Sequence, residues 1–323
     1  MDIAPKTWWL KIRMWLLVTV LFGIIYALVA AVSYVLGISS FIFYGIIAFG
    51  FMILQYMIGP YIVQWSMKVK YVTEKEEPEL HAIVEKLAKK AGIPKPKIGI
   101  SDVQVPNAFA FGRWKSDGRV CVTKGIMNLL SKKELEAVLG HELSHLKHRD
   151  VVFITLISVI PMIAWFVARS TLFMQSGKNK GSAVLIGIFA FIIYFLTNLL
   201  VLYGSRIREY YADMGSVSLG SEPHQLATAL YKLVYGAAKA NPQSLKQVEG
   251  MKAFFANDIS NAQNEIRDLA QLDLDKSGTI DPDELEALRN KQIKLKPLDK
   301  LMEVMSTHPN MLKRIKALSV LTK

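Results

Sequence analysis

The sequence predicts a mainly α-helical membrane protein with a small β-sheet, in which four transmembrane helices are joined to a cytoplasmic domain. Three observations support this prediction. The 323 residues are 52% hydrophobic, and the mean hydropathy of +0.27 is high for a soluble enzyme. Four apolar runs reach the ~20 residues that a helix needs to cross a bilayer. Between the second and third runs, short alternating segments are typical of strands.

The apolar runs divide the chain into four parts. They extend over about 14–38, 41–65, 151–173 and 183–203. Basic residues precede the first run, as in a signal peptide, but its apolar core is too long and a second run follows at once, which favours an uncleaved anchor. We therefore expect two transmembrane hairpins, at 1–67 and 151–204, and one polar domain built from 68–150 and 205–323.

Charge indicates the orientation in the membrane and the class of partner. The loops at 37–40 and 176–182 carry few charges, whereas the other ends of the runs are basic, so both termini and both polar segments should face the cytoplasm. Because Pro161 and Arg169 lie within the third run, a shorter or tilted third helix is the alternative there. The net charge is +12, and the basic residues cluster beside the apolar runs. This arrangement favours membrane lipids over nucleic acid as the partner. The flanking basic residues are Lys6, Lys11, Arg13, Lys68, Lys70, Lys147, Arg149, Arg206 and Arg208.

The polar segments contain recognisable helices and strands. Apolar residues recur at helical spacing in the first of them, and an Asp-Gly pair at 117–118 indicates a hairpin. Cys121 is the only cysteine, which excludes a disulfide framework and a cysteine-based zinc site. The predicted elements are a helix at 79–91, strands at 97–101, 108–114 and 119–123, a helix at about 133–149 and a helix at 223–240.

The helix at 133–149 carries a zinc-binding pattern. His141 and His145 are four residues apart, so they share one helix face and can bind one zinc ion. Glu142 follows the first histidine, at the position from which a carboxylate can act as general base toward a water molecule. The pattern predicts a hydrolase, although two histidines and a glutamate on a solvated helix would also fit it.

A catalytic zinc needs a third protein ligand. His148 is a candidate, but on an unbroken helix it lies ~10 Å along the axis from His141. Glu209 is the better choice, and Asp213 is four residues further along, so both carboxylates face the same way. One carboxylate can bind the metal while the other accepts a hydrogen bond from a ligating imidazole.

These segments together resemble HtpX-type integral-membrane zinc metalloproteases, which are gluzincins related to the CAAX prenyl proteases. The resemblance extends over nearly the whole chain. It implies a gluzincin-like domain with one zinc, in which His141, His145 and Glu209 are the ligands and Glu142 is the general base. The matching segments are 107–110, 138–150, 205–213, 222–233 and 306–309 together with Arg314.

The resemblance also implies roles around the metal. Residues Asn107, Ala108, Phe109 and Ala110 would line the cleft and hold an extended substrate, as an edge strand can do through its backbone. His308 would approach the cleft and donate a hydrogen bond to the developing oxyanion. Arg314 would be a supporting cation. Ordinary structural roles remain open for Asn107, as a turn residue after Pro106, and for His308, before Pro309.

Residues 273–284 depart from this resemblance because they fill the template of an EF-hand loop. Oxygen donors stand at loop positions 1, 3, 5, 9 and 12, with glycine at position 6. We expect calcium binding within an insert at 262–291, although only one loop is present and part of the pattern also fits a helix cap. The candidate ligands are Asp273, Asp275, Ser277, Thr279, Asp281 and Glu284.

The sequence thus favours a membrane-bound zinc endopeptidase that cleaves unfolded stretches of membrane proteins at the cytoplasmic face. The choice of substrate follows from the resemblance alone. Three alternatives remain at this point: a prenyl-protein protease, an intramembrane protease, and a calcium-responsive membrane adaptor that retains a relic zinc site. Charged residues around the zinc helix favour an interfacial site over an intramembrane one.

Overall fold

A computed structural model describes residues 16, 20, 41–172, 180–239, 265, 266, 269, 271–291 and 297–322. The chain separates into two compact units. We call Gly59–Val151 with Arg206–Lys323 the polar unit, and Val152–Ser205 with the described residues up to Ile58 the apolar unit.

The described residues form ten α-helices and four strands. The helices are α1 (Phe41–Ser66), α2 (Pro78–Ala91), α3 (Lys124–Leu129), α4 (Lys132–His148), α5 (Asp150–Leu172), α6 (Lys180–Ser218), α7 (Pro223–Ala238), α8 (Pro282–Asn290), α9 (Pro297–Val304) and α10 (Met311–Ser319). The strands are β1 (Val69–Tyr71), β2 (Lys97–Ser101), β3 (Ala108–Phe111) and β4 (Arg119–Thr123).

Among the described residues, two helices are long and apolar enough to cross a membrane. The stretches Asp150–Arg169 and Val184–Ser218 both reach a mean hydropathy of 2.5 over a span-length window. Large apolar side chains on α6 are exposed, among them Leu185 at 70%, which suits a lipid environment better than water. The third and fourth predicted runs are therefore helical. The second run forms α1, and the first lies outside the described residues.

The polar unit contains a four-stranded mixed sheet in the order β1-β2-β4-β3. β2 and β4 are parallel, with Ile98 opposite Val120, whereas β1 and β3 are antiparallel to their neighbours. The predicted hairpin forms, with a 3-10 turn at Lys115–Asp117 between β3 and β4. β3 therefore lies at one edge of the sheet.

Helices α2, α4, α7 and α10 enclose the main hydrophobic core of the polar unit. α2 buries one apolar stripe, as its sequence pattern predicts. The central residues of α4 are buried as well, so this helix passes through the core and does not lie on the surface. Fully buried side chains of this core include Leu87, Leu139, Leu143, Leu226 and Leu233.

Candidate active site

Helix α4 holds the zinc-binding pattern in a fixed position. It begins with a capping box, in which Ser131 and Glu134 exchange hydrogen bonds between side chain and backbone. It ends at His148, where Arg149 adopts a left-handed backbone conformation with φ of 57°. The chain therefore turns sharply before α5, which begins at Asp150. The turn directs the Asp150 carboxylate back toward His145 on α4.

Three side chains converge in the polar unit. The Nε2 atoms of His141 and His145 are 3.1 Å apart. The carboxylate of Glu209, on α6, lies 3.6 Å from the first and 3.5 Å from the second. All three residues are at least four-fifths buried as side chains. This is the set of nitrogen and oxygen donors at which a catalytic zinc binds.

The outer nitrogens of both imidazoles contact carboxylates. His141 Nδ1 lies 2.9 Å from Asp213, and His145 Nδ1 lies 2.6 Å from Asp150. A proton on each Nδ1 satisfies these carboxylates and leaves both Nε2 lone pairs directed at the same point. Two facing lone pairs repel one another, and a cation between them converts that repulsion into coordination. The residues present therefore fit a zinc ion.

Arg314, from α10, links the two carboxylates of α6. Its Nε and Nη2 atoms form a bidentate pair with Asp213 at 2.9 and 2.7 Å, and its Nη1 lies 3.1 Å from Glu209. The side chain is fully buried. A planar guanidinium matches this geometry, so Arg314 fixes the direction in which both carboxylates point.

The electrostatic field at the cluster favours a cation. Burial alone would lower the pKa of His141, but its contacts with Asp213 and Glu209 outweigh burial and raise that pKa to about 9. Burial raises the pKa of Glu142, and the two histidines and a backbone hydrogen bond from Ala110 only partly offset this effect. A buried carboxylate of raised pKa beside the histidines is suited to accept a proton.

The edge strand β3 presents alternate backbone groups toward α4. Thr123 N–H donates to the carbonyl of Asn107, and Asn107 N–H donates to the Thr123 hydroxyl, so both Asn107 groups face β4. In an antiparallel pair the outward groups belong to every second residue, here Ala108 and Ala110. Two of the four predicted substrate-binding residues, Ala108 and Ala110, therefore direct their backbone N–H and C=O groups away from β4. The backbone groups of Asn107 and Phe109 are directed toward β4.

His308 lies in the segment between α9 and α10. Its Nε2 is 3.9 Å from Glu209 Oε1, and its Nδ1 is 2.9 Å from the Thr307 hydroxyl. The side chain is 11% exposed. His308 thus borders the metal-binding cluster, as the sequence analysis predicts, and is not a member of it.

Close contact between α4 and α6 aligns the ligands of the two helices. Ser216 Oγ donates to the Ala137 carbonyl at 2.6 Å, and a Cβ at Gly140 would lie 3.0 Å from Ser216 Oγ. A Cβ at Gly215 would overlap the Ser144 side chain. Glycine is therefore required at 215 for the two helix backbones to approach one another.

We expect Gly215→Ala to reduce both stability and zinc content. The added methyl group must displace Ser144, one residue before His145, and overpacking of this kind costs about 1–3 kcal/mol. Thermal unfolding and metal analysis of the purified variant measure the two effects. The double variant Ser144→Gly/Gly215→Ala should recover zinc, because it restores the space. Failure of this rescue would contradict the steric explanation.

Two residues of the site were not predicted from the sequence. Asp150 contacts His145, and Arg208 forms an ion pair with Asp150. A carboxylate directly after a ligand-bearing helix was the available signal for Asp150. Arg206 and Arg208, which the sequence analysis counted as charges at the membrane surface, are both at least nine-tenths buried. Arg206 donates to the carbonyls of Val304 and Ser306, so these two arginines contribute less to the orientation argument.

The predicted calcium ligands are only partly brought together. Ligand atoms of Asp273, Asp275 and Glu284 lie within 4.8 Å of one another. Asp281 instead caps α8 by accepting from Glu284 N–H, and the Ser277 hydroxyl pairs with that of Thr279.

The family to which this chain belongs follows from a sequence comparison. The model of Peptidase family M48 matches residues 74–322, which is more than half of the chain. The chain belongs to peptidase family M48. The match spans every element of the polar unit that contributes to the histidine and glutamate cluster.

Curated M48 relatives share the sequence over most of their length. A protease HtpX homolog of Methanothermobacter thermautotrophicus is 54% identical over 229 residues, which are 71% of this chain and 87% of that protein. One of Moorella thermoacetica is 37% identical over 244 residues, or 73% and 81%. With its apolar helices, this M48 chain is a membrane-bound metalloprotease.

A solved structure shares the fold. The crystal structure of S. mikatae Ste24p superposes with a TM-score of 0.55 at 18% identity. The match covers 95% of this chain and 65% of that one. At this identity the likeness concerns the M48 fold alone.

Proposed function

We propose that the chain is a zinc-dependent endopeptidase that hydrolyses peptide bonds at the cytoplasmic face of the membrane. One observation carries the proposal: the convergence of His141 Nε2, His145 Nε2 and the Glu209 carboxylate, with Glu142 beside them. These three residues would hold the zinc. Because the chain belongs to a family of peptidases, a non-enzymatic adaptor is the less favoured alternative function.

When bound, zinc supplies Lewis acidity, which polarises a peptide carbonyl and lowers the pKa of water to ~7. Glu142 then accepts the proton of the attacking water and returns it to the leaving amine. Asp213 and Asp150 keep the imidazoles of His141 and His145 in one tautomer and orientation.

Substrate binding would use the outer edge of β3, the side away from β4. The backbone groups of Ala108 and Ala110 are directed away from β4, and an extended peptide can pair with such an edge largely without regard to its sequence. The Ala110 hydrogen bond to Glu142 links this edge to the general base. His308, whose Nε2 lies 3.9 Å from Glu209, would donate to the oxyanion that develops on the scissile carbonyl.

The proposed substrates are unfolded or exposed stretches of membrane proteins, because strand addition requires an extended segment and the enzyme itself is membrane-bound. Membrane lipids are its proposed surroundings. The cytoplasmic orientation rests on Lys68, Lys70 and Lys147 beside the apolar runs. We do not extend the proposal to prenylated substrates, since the fold likeness to Ste24p says nothing about substrate.

Metal removal tests the proposal. We expect the detergent-solubilised full chain to cleave an unfolded protein such as casein, to lose this activity after dialysis against a chelator, and to regain it with about one zinc per chain. Gel electrophoresis and metal analysis follow the two quantities. Cleavage that persists with zinc removed would contradict the proposal.

A further inference from the structure

A second cluster of acidic side chains lies in the loop 273–284, outside the peptidase site. The loop is anchored to α7 by Thr228, whose hydroxyl bonds to both the N–H and the carbonyl of Ile280 at 2.9 Å. Ile280 and Leu285 are buried in the main core. The loop is therefore an ordered part of the polar unit.

Three carboxylates of this loop share one small volume. Asp273, Asp275 and Glu284 each offer an oxygen, and these atoms lie within 4.8 Å of one another. Two of the residues are partly or largely buried, whereas Asp275 is exposed. Like charges at this separation repel one another unless a cation lies among them.

One carboxylate oxygen of Asp273 is buried and accepts no hydrogen bond from the part of the chain that the structure describes. Asp273 is 8% exposed, and its Oδ2 accepts from the Tyr231 hydroxyl at 2.9 Å and from Gly278 N–H at 3.0 Å. No residue that the structure describes donates a hydrogen bond to its Oδ1. Burying a carboxylate oxygen without a donor costs free energy, so a ligand for Oδ1 is expected.

Helix capping accounts for only part of the cluster. Asp281 and Glu284 form the capping box of α8, which explains the acidic residues at that end of the loop. It does not explain Asp273 and Asp275, which precede the helix by several residues. Gly278, with φ of 82°, occupies the sixth loop position, where the EF-hand turn needs a residue that tolerates positive φ.

We propose that this loop binds one calcium ion, with Asp273, Asp275 and Glu284 as its carboxylate ligands. All the candidate donors are oxygens on a loop with adaptable spacing, which suits Ca²⁺ better than the small, octahedral Mg²⁺. The site is separate from the peptidase centre, and the proposal does not depend on the proposed function.

Bound calcium would also brace α7. Asp273 contacts Tyr231, and the next residue, Lys232, donates to the Glu134 carboxylate in the first turn of α4 at 2.8 and 3.0 Å. Satisfying the three carboxylates thus stabilises the segment that supports the N-terminal end of the zinc helix. A ligand that binds only the folded state raises the unfolding temperature.

Calcium titration of the zinc-loaded full chain in detergent tests the proposal. Isothermal titration calorimetry should give one Ca²⁺ per chain, and Tb³⁺ bound at the loop should show luminescence sensitised by Tyr231, which Ca²⁺ displaces. Asp275→Asn keeps the oxygen that accepts from Ser277 N–H, and Glu284→Gln keeps one of its two accepting oxygens. Both remove charge, so each should weaken binding about tenfold or more. Asp283→Asn, at an exposed neighbouring carboxylate outside the cluster, is the matched control.

The outcomes separate clearly. Binding that is weakened in Asp275→Asn and Glu284→Gln but retained in Asp283→Asn, with a calcium-dependent rise in unfolding temperature that both variants lose, supports the site. No heat and no displaceable luminescence at about 1 mM Ca²⁺, the weak end of the EF-hand range, would overturn it. Equal weakening by all three substitutions would also overturn it, because it would indicate diffuse attraction to an acidic surface.

Discussion

Glu142→Gln should abolish most proteolysis while the protein keeps its zinc. The substitution is isosteric and leaves His141, His145 and Glu209 in place, but an amide cannot accept the proton of the attacking water. General-base catalysis contributes about 10²–10⁴-fold, so kcat/KM should fall by about that factor. Cleavage of a fluorescent unfolded substrate gives the rate, and metal analysis of the same sample gives the zinc content.

Glu209→Ala provides the contrast, because it removes a ligand and leaves the general base. Zinc content should then fall together with activity, and added zinc should restore part of both. Glu136→Gln is the matched control for both variants, since Glu136 lies on α4 with Glu142 but pairs with Lys86 and not with the histidines. It should retain zinc and activity. Normal zinc content in Glu209→Ala would show that the ligand assignment is wrong. Full activity in Glu142→Gln would show that Glu142 is not the general base.

The core of the site could be predicted because it depends on local spacing. His141 and His145 share a face of one helix, and Glu209 and Asp213 share a face of another, so a period of 3.6 residues is enough to pair them. Spacing alone does not decide which of these two carboxylates binds the metal, and the assignment of Glu209 as the ligand agreed with the family resemblance.

Contacts that depend on turns or on distant segments could not be predicted in this way. Asp150 reaches His145 because Arg149, a residue without glycine's freedom, adopts a left-handed conformation. Arg314 contacts Asp213 across 101 positions of the chain, for which no local pattern exists. The three-residue strand β1 was also missed, because a segment of that length has no measurable alternation.

The availability of backbone groups likewise required the structure. The sequence assigned Asn107 and the next three residues to substrate binding as one group. The register of β3 on β4 divides them, because alternate residues of an antiparallel strand point their hydrogen-bonding groups to opposite sides. Ala108 is therefore the position at which a proline, which lacks the N–H group, would test strand addition most directly, because the backbone of Ala110 already bonds to Glu142.

Arg314→Met should destabilise the protein more than any surface substitution. Arg314 is fully buried between Asp213 and Glu209, and its removal leaves two carboxylates without their shared counter-charge. Breaking a buried ion pair by removing one partner costs about 3–5 kcal/mol. For a chain of 323 residues, that corresponds to a fall in unfolding temperature of about 4–7 °C. Thermal unfolding at a fixed zinc concentration and heating rate measures the change.

Two further variants distinguish loss of charge from loss of packing. Arg289→Met, at an exposed arginine of α8, should change stability by less than about 0.5 kcal/mol. Arg314→Met/Asp213→Asn should recover part of the lost stability, because it also removes a buried charge that has no partner. If the double variant were no more stable than Arg314→Met, the loss would stem from the cavity left by the long side chain. Arg314 would then support the metal ligands through packing and not through its charge.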